Sequence, residues 1–224
     1  MLKSIILARG GSKGVIGKNI RKINGVPLLA YPIIQAQKSK HISEIYVSTD
    51  DDDIKKVAIQ YGASIINRPK ELCQDNSLDV DAMKHAVEYL NDKNDIVHLR
   101  ATTPMIVSDT LDKGIEYFLT NTNCTSLRSC HQSPETAYKS FQKHDKYWRG
   151  LFDDKLTGEY YNLPRQNLPK TYHPNGYIDI VRPKQFMYND SFHGSHMLAF
   201  ETEFAYEVDT ENDFKILQAI YGNH

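Results

Sequence analysis

The chain has 224 residues, enough for one large domain, and its 40% hydrophobic and 25% charged residues are ordinary globular values that exclude a disordered or fibrous chain. Lys+Arg 27 against Asp+Glu 28 leaves a formal charge of −1, so no global field draws the protein to nucleic acid or to an anionic membrane, and any anion binding must be local. The longest nearly unbroken apolar stretch, residues 26–34, contains Pro27 and Pro32 and falls far short of the roughly 20 apolar residues that span a bilayer.

The N-terminus runs directly into a strand-like segment over residues 4–7, with none of the basic, apolar and cleavage regions of a secretory signal, so the expected location is the cytoplasm. Further β-branched runs follow at 45–48, 64–66 and 96–99. Between them, residues 28–38, 52–61 and 78–90 carry apolar side chains at helical spacing; in the last of these Val80, Met83, Val87 and Leu90 share one face. This alternation predicts βαβ units and a mostly parallel sheet flanked by helices, a Rossmann-like α/β fold. Asp50 to Asp53 place negative charge where a first helical turn favours it, and Ser77 reads as an N-cap ahead of Asp79 and Asp81. From about 125 to 170 the alternation weakens, and aromatic, basic and turn residues crowd around Tyr147-Trp148-Arg149-Gly150 and Tyr160-Tyr161-Asn162-Leu163-Pro164, which predicts an inserted flap. A strand over 177–181, another near 196–200 and a closing helix from about 210 to 220 complete a single domain, 1–224, with a projecting arm at about 133–170. Cys73, Cys124 and Cys130 lack Cys-x-x-Cys spacing and are expected to be reduced.

The richest segment directly follows the first strand: Leu7-Ala8-Arg9-Gly10-Gly11-Ser12-Lys13-Gly14-Val15-Ile16-Gly17-Lys18-Asn19. Its glycines let backbone N–H groups approach an anion closely, and Arg9, Lys13 and Lys18 concentrate positive charge, so the segment reads as a polyphosphate cradle. A first β-to-α loop is also where open parallel sheets form their binding crevice. The Gly-Lys-Ser/Thr ending of a Walker A loop is missing, and Ser12 and Lys13 break Gly-x-Gly-x-x-Gly spacing, which counts against kinase and dinucleotide readings.

This stretch resembles the N-terminal signature of the acylneuraminate cytidylyltransferases, which make CMP-sialic acid and related CMP-nonulosonic acids. Pro27-Leu28-Leu29, Val47-Ser48-Thr49-Asp50, Arg68-Pro69-Lys70-Glu71-Leu72, Thr102-Thr103-Pro104, Pro164-Arg165-Gln166-Asn167-Leu168-Pro169, Pro174-Asn175-Gly176 and Val208-Asp209-Thr210-Glu211 resemble further family blocks, in family order over nearly the whole chain. The resemblance implies a nucleotide-diphospho-sugar transferase type of fold whose arm dimerises, crossing to the partner of a homodimer. It implies that the loop with Ala8, Gly10 and Gly11 binds the CTP triphosphate through Arg9, Ser12, Lys13 and Lys18, with Asn19 near the ribose. Arg68 would read cytosine, whose O2 and N3 accept hydrogen bonds from a guanidinium. Asp50 can equally be a helix N-cap. Asp209 matches the carboxylate that holds catalytic Mg²⁺, and Glu207 stands where the family usually has a second aspartate; at i and i+2 of an extended segment both share one face.

On the acceptor side, Arg165 and Gln166 match a motif associated with the acid sugar, where a guanidinium suits a carboxylate. Asn175 and Gly176 match the block lining the sugar pocket, with Tyr177 and Asp179 in place of the usual alanine and tyrosine. Arg100 replaces the usual glutamine of a Gln-Pro-Thr-Ser-Pro motif that here runs through Thr102 to Pro104. His193 and His196 are given no role. The implied reaction is attack by the anomeric hydroxyl of a nine-carbon 2-keto sugar acid on the α-phosphate of CTP, with Arg9, Lys13 and Lys18 neutralising charge and Mg²⁺ as cofactor. The alternatives are the eight-carbon acid Kdo or a sugar 1-phosphate as acceptor, or a non-catalytic nucleotide-binding module.

Overall fold

The computed structural model describes residues 1–188 and 191–222. Its strands are β1 Leu2–Leu7, β2 Lys22–Ile23, β3 Val26–Pro27, β4 Ile42–Thr49, β5 Ser64–Asn67, β6 Ile96–Arg100, β7 Ser126–Gln132, β8 Phe141–His144, β9 Tyr147–Gly150, β10 Tyr172–Val181 and β11 Met197–Glu201. The helices are α1 Ala30–Lys38, α2 Asp52–Gln60, α3 Asp79–Leu90, α4 Ser108–Thr120, α5 Pro183–Phe186 and α6 Glu211–Gly222. Seven strands form one sheet in the order β11-β7-β10-β6-β1-β4-β5. Pairing is parallel except at β10, which runs antiparallel to both β6 and β7. The expected mostly parallel α/β sheet is therefore present.

Both faces of the sheet are covered, which is why the central strands read as apolar runs. Ile33 and Ala36 of α1, Ile54 and Ala58 of α2, and Leu111, Ile115 and Phe118 of α4 pack on one face with Ile6, Val47, Val97 and Ile180. Met83, Ala86 and Val87 of α3 and Phe186 of α5 cover the other with Ile5, Ile66 and Val181. A third cluster joins Phe214 and Leu217 of α6 to Ile23, Leu28, Val15 and Val208. Each such fully buried Leu, Ile, Val or Phe contributes roughly 1.5–3 kcal/mol by leaving water. The third cluster also has a geometric role: it pins the glycine-rich loop, through Val15, against the segment that ends in Asp209. Among the described residues no helix is long and apolar enough to cross a membrane.

Two expectations are corrected, and one helix joins those expected. The flap does not begin at 125, because residues 126–132 form β7, a sheet strand flanked by β10 and β11; its Ser-Leu-Arg-Ser-Cys-His-Gln sequence is polar, and it buries Leu127 on one face while Arg128 takes a charge partner on the other. Helix α4 went unassigned, although Leu111, Ile115 and Phe118 stand at helical spacing. Ser77 does not cap α3: its hydroxyl accepts from Gln74 N–H and donates to Glu71 C=O, and Leu78 occupies the cap position. The arm itself holds the two-stranded β8–β9 sheet and a short helical turn at Tyr160–Asn162, with Phe141, Tyr147 and Trp148 exposed. All three cysteines are free.

Candidate active site

Where β1 ends, Ala8 is buried and donates its N–H to Ser48 C=O at 3.0 Å, so the chain leaves the sheet beside the end of β4. Gly10 N–H donates to Asp50 Oδ1 at 3.1 Å, and Asn19 Nδ2 donates to Arg9 C=O at 3.0 Å, closing the loop on itself. Burial works against ionisation of Asp50, but the Gly10 N–H and the Cys73 thiol outweigh it and hold its carboxyl below the usual range. Asp51, not Asp50, is the N-cap of α2, accepting from the N–H groups of Asp53 and Ile54. Asp50 therefore shapes the loop. At Gly14 a Cβ would lie 2.3 Å from the Asp209 backbone oxygen, so the loop and the C-terminal segment touch main chain to main chain, an approach only glycine allows.

A cavity of about 410 Å³ opens over this loop. It brings together Arg9, Ser12, Lys13, Lys18, Asn19 and Arg68 of the expected nucleotide set with Thr102 of the expected acceptor side and Asp209 of the expected metal pair. The sequence reading missed part of its lining, which comes from Gln74 and Asp75 in the segment before α3 and from Asp79 at the start of that helix. Asp75 occupies the cationic end: Arg9 Nη1 lies 3.0 Å from Asp75 Oδ1, Lys13 pairs with Asp75 Oδ2, and Arg9 also donates to Cys73 C=O at 3.1 Å. Lys13 foremost, with Arg9 behind it, keeps the Asp75 carboxyl below its ordinary range against a small desolvation cost. A carboxylate thus holds the two cations where phosphate oxygens are expected. Gln74 and Asp75 carry no pattern of their own that marks them; only the fold sets them across from the glycines.

Arg68 is 7% exposed and donates from Nη2 to Ser48 C=O at 3.0 Å, while its Nε is buried without a partner among the described residues. The bond fixes the guanidinium at the cavity floor. Burial pushes the neighbouring Cys73 thiol up to about 11, so it stays protonated and inert.

Lys18 donates to Val208 C=O at 2.7 Å and to Asp209 Oδ1 at 3.2 Å. Asp209 is not spent on the helix behind it, because Thr210 and Asp213 cap α6 reciprocally: Asp213 Oδ2 accepts from Thr210 N–H at 2.8 Å, and Thr210 Oγ1 accepts from Asp213 N–H at 3.2 Å. Glu207 Oε1 accepts from Thr102 Oγ1 at 2.7 Å, so the Thr102 hydroxyl is turned to a carboxylate. Glu207 and Asp209 both line a second cavity, of about 600 Å³, shared with His131, His173, Asn175, Phe204 and Tyr206. Among the described residues no three His, Cys, Asp or Glu converge into a metal cage. Two carboxylates beside the glycine-rich loop nevertheless fit Mg²⁺, a hard cation commonly held by one or two carboxylates with substrate phosphates and water.

Acceptor-side expectations divide. Asn175 lines the second cavity, but its side chain is buried and bonded inward: Nδ2 donates to Thr202 Oγ1 at 2.7 Å and Oδ1 accepts from Tyr177 N–H at 3.3 Å. Gly176 has φ 63°, and a Cβ there would lie 2.6 Å from Arg100 Cδ and 2.8 Å from Thr103 Oγ1, so glycine is required twice over. Arg100 is clamped between Asp79 Oδ2, at 3.2 Å, and the buried Asp179 Oδ2, at 3.5 Å, while Arg128 Nε approaches Asp179 Oδ1 at 3.6 Å. The aspartate at 179 and the arginine at 100 are thus partners, one charge answering the other. Arg165 and Gln166 are not brought to the phosphate loop within the chain; they line a separate cavity of about 410 Å³ with Ser133, Thr136 and Lys170. The histidines 131 and 173 of the second cavity went unnoticed because alternate strand positions carry no motif.

The Cytidylyltransferase family matches the chain over residues 4–203. A CMP-N,N'-diacetyllegionaminic acid synthase of Campylobacter jejuni is 33% identical over 225 residues, covering 95% of this chain and 92% of the relative. An N-acylneuraminate cytidylyltransferase of Streptococcus agalactiae is 29% identical over 219 residues, covering 94% of this chain but 51% of the relative, so the chain spans about half of that protein's length. Among solved structures, a CMP:2-keto-3-deoxy-manno-octonic acid synthetase complexed with CTP superposes with a TM-score of 0.75 at 17% identity, covering 99% of this chain and 98% of the other.

Proposed function

The chain belongs to the cytidylyltransferase family, and from that premise we propose that it activates a nine-carbon 2-keto sugar acid, of the sialic, legionaminic or pseudaminic type, with CTP to give the CMP-sugar and pyrophosphate. The observation that carries this reading is the convergence of Arg9, Ser12, Lys13, Lys18, Asn19 and Arg68 with Asp209 on one cavity. Full-length relatives named for a diacetyllegionaminic acid and for pseudaminic acid support the acceptor class.

In this mechanism Arg68, tethered at the cavity floor, offers donors to the cytosine edge, and Asn19 stands toward the ribose. Arg9 and Lys13 release Asp75 and take the triphosphate, neutralising charge that grows on the departing pyrophosphate. The acceptor's anomeric oxygen forms a bond to the α-phosphorus as the bond from that phosphorus to the bridging oxygen breaks, the pyrophosphate takes that bond's electron pair, and the hydroxyl proton passes to solvent water. Mg²⁺ held by Asp209, with Glu207, would supply further charge neutralisation at the phosphate oxygens and a more acidic attacking hydroxyl. Lys18 orients Asp209 for that task. Positioning and electrostatics, rather than covalent chemistry, account for the rate.

The same reading makes the enzyme a cytoplasmic homodimer in which the arm carries Arg165 and Gln166 to the partner's acceptor pocket. Two features support it: those residues line a cavity apart from the cradle, and the arm exposes Phe141, Tyr147 and Trp148. The deciding experiment measures pyrophosphate release with CTP, Mg²⁺ and a panel of nonulosonic acids, with Kdo as outgroup. Turnover on a nine-carbon acid is expected; folded enzyme that is inert with all of them, or that prefers Kdo, refutes the reading.

A further inference from the structure

We propose that Thr102 is a positioning residue for Glu207: its hydroxyl tethers the longer carboxylate so that the remaining oxygen faces the cation site beside Asp209. The inference rests on the reading of Glu207 and Asp209 as magnesium carboxylates and adds the device that makes a glutamate serviceable there. Thr102 is joined to the carboxylate segment twice. Its C=O accepts from Val208 N–H at 2.9 Å, and its Oγ1 donates to Glu207 Oε1 at 2.7 Å. Val208 is itself fully buried in the cluster that holds α6, and Glu207 and Asp209, on either side of it, both line the second cavity.

Each carboxylate has its own tether. Lys18 holds Asp209 Oδ1 at 3.2 Å and the intervening Val208 C=O at 2.7 Å, and Thr102 holds Glu207. The two tethers differ for a reason found in the side chains. Glutamate has one more rotatable bond than aspartate, and without a fixed partner its carboxylate samples many positions and loses that freedom only on binding a cation. A hydroxyl donating to an ionised oxygen makes a charge-assisted bond that removes the freedom beforehand. Glu207 Oε2 accepts no hydrogen bond among the described residues, so one oxygen is spent on orientation and one remains. The base of the tether is rigid: Thr103, next in the chain, is fully buried against Gly176.

Orienting partners of metal ligands typically govern ten- to a hundredfold in affinity. The test measures Mn²⁺ bound to the enzyme–CTP complex by electron paramagnetic resonance, for wild type, T102V, T102S, E207Q and the T102V/E207Q double variant. Thermal midpoints and metal-free CTP affinity serve as controls. T102V is expected to weaken Mn²⁺ binding about tenfold beyond any change in its own metal-free CTP affinity, with T102S near wild type. The double variant is expected to bind no more weakly than E207Q, because the hydroxyl acts only through that carboxylate. If T102V binds Mn²⁺ as wild type does while E207Q is weakened, or if the two losses add, the positioning role is overturned and the metal reading stands. If E207Q itself binds as wild type, the metal role of Glu207 is overturned and this inference falls with it. Should T102V fold poorly, T102A against T102S reads the same hydroxyl.

Discussion

Replacing Gly14 by alanine probes whether the main-chain contact between the loop and Asp209 governs activity. The new methyl carbon would sit 2.3 Å from the Asp209 carbonyl oxygen, against an ordinary separation of at least 3.4 Å, so one of the two segments must retreat by about 1 Å. Neither can retreat freely, because Val15 on one side and Val208 on the other are locked in the same buried cluster. A displacement of about 1 Å in a positioning group costs on the order of a hundredfold in rate, or about 2.7 kcal/mol of transition-state stabilisation. The expected result is a fall of that order in kcat/KM for pyrophosphate release. Gly11→Ala is the control for stability: nothing lies within 4 Å of its Cβ and its φ is not positive, so its melting temperature should match wild type. A Gly14→Ala enzyme with kcat/KM within about threefold of wild type and an unchanged melting temperature would refute the argument, since less than about 0.7 kcal/mol would then ride on the contact.

Other outcomes follow from the same geometry. Lys18→Met should lower kcat more than it raises KM for CTP, by about tenfold or more, because it frees Asp209 and leaves Val208 C=O unpartnered; equal CTP titration with normal kcat would contradict it. Asp75→Asn should tighten metal-free CTP binding, by up to about fivefold given the modest strength of exposed ion pairs, since the nucleotide no longer displaces a carboxylate from Arg9 and Lys13; weaker binding in calorimetry would argue against that exchange. Acid should destabilise the fold ahead of general carboxylate titration. Burial first, with Arg100 next, holds His98 down at about 4, and burial followed by Arg128 holds His193 at about 4. The unfolded chain takes up both protons near pH 6.5, so stability falls as pH drops from about 6.5 towards 4, by up to about 1.4 kcal/mol per pH unit for each histidine. Urea midpoints at pH 7, 6 and 5 should trace that loss, and His98→Gln should flatten it; equal slopes in the two proteins would dismiss His98 as a source.

Local pattern determined much of this protein. Apolar runs and helical spacing marked β1, β4, β5, β6 and the helices α1 to α3, because strands covered on both faces are built mostly from apolar side chains and amphipathic helices must show their period. The glycines and cations at 8–19 announced an anion site for an equally local reason: a loop that lets main chain approach phosphate has few residue types to use. Strand β7 was hidden by its polar sequence, since Arg128 answers the buried Asp179, a partner some fifty residues away that no periodicity displays. Tertiary structure alone decided what faces the cradle. It set Asp75 on Arg9 and Lys13, seated Asp209 against Gly14, linked Thr102 to Glu207 and sent Arg165 to another cavity. A sequence records each residue's capacity to donate, accept or carry charge. Which distant group meets that capacity depends on strand order and helix docking, and those are settled by burial of the core.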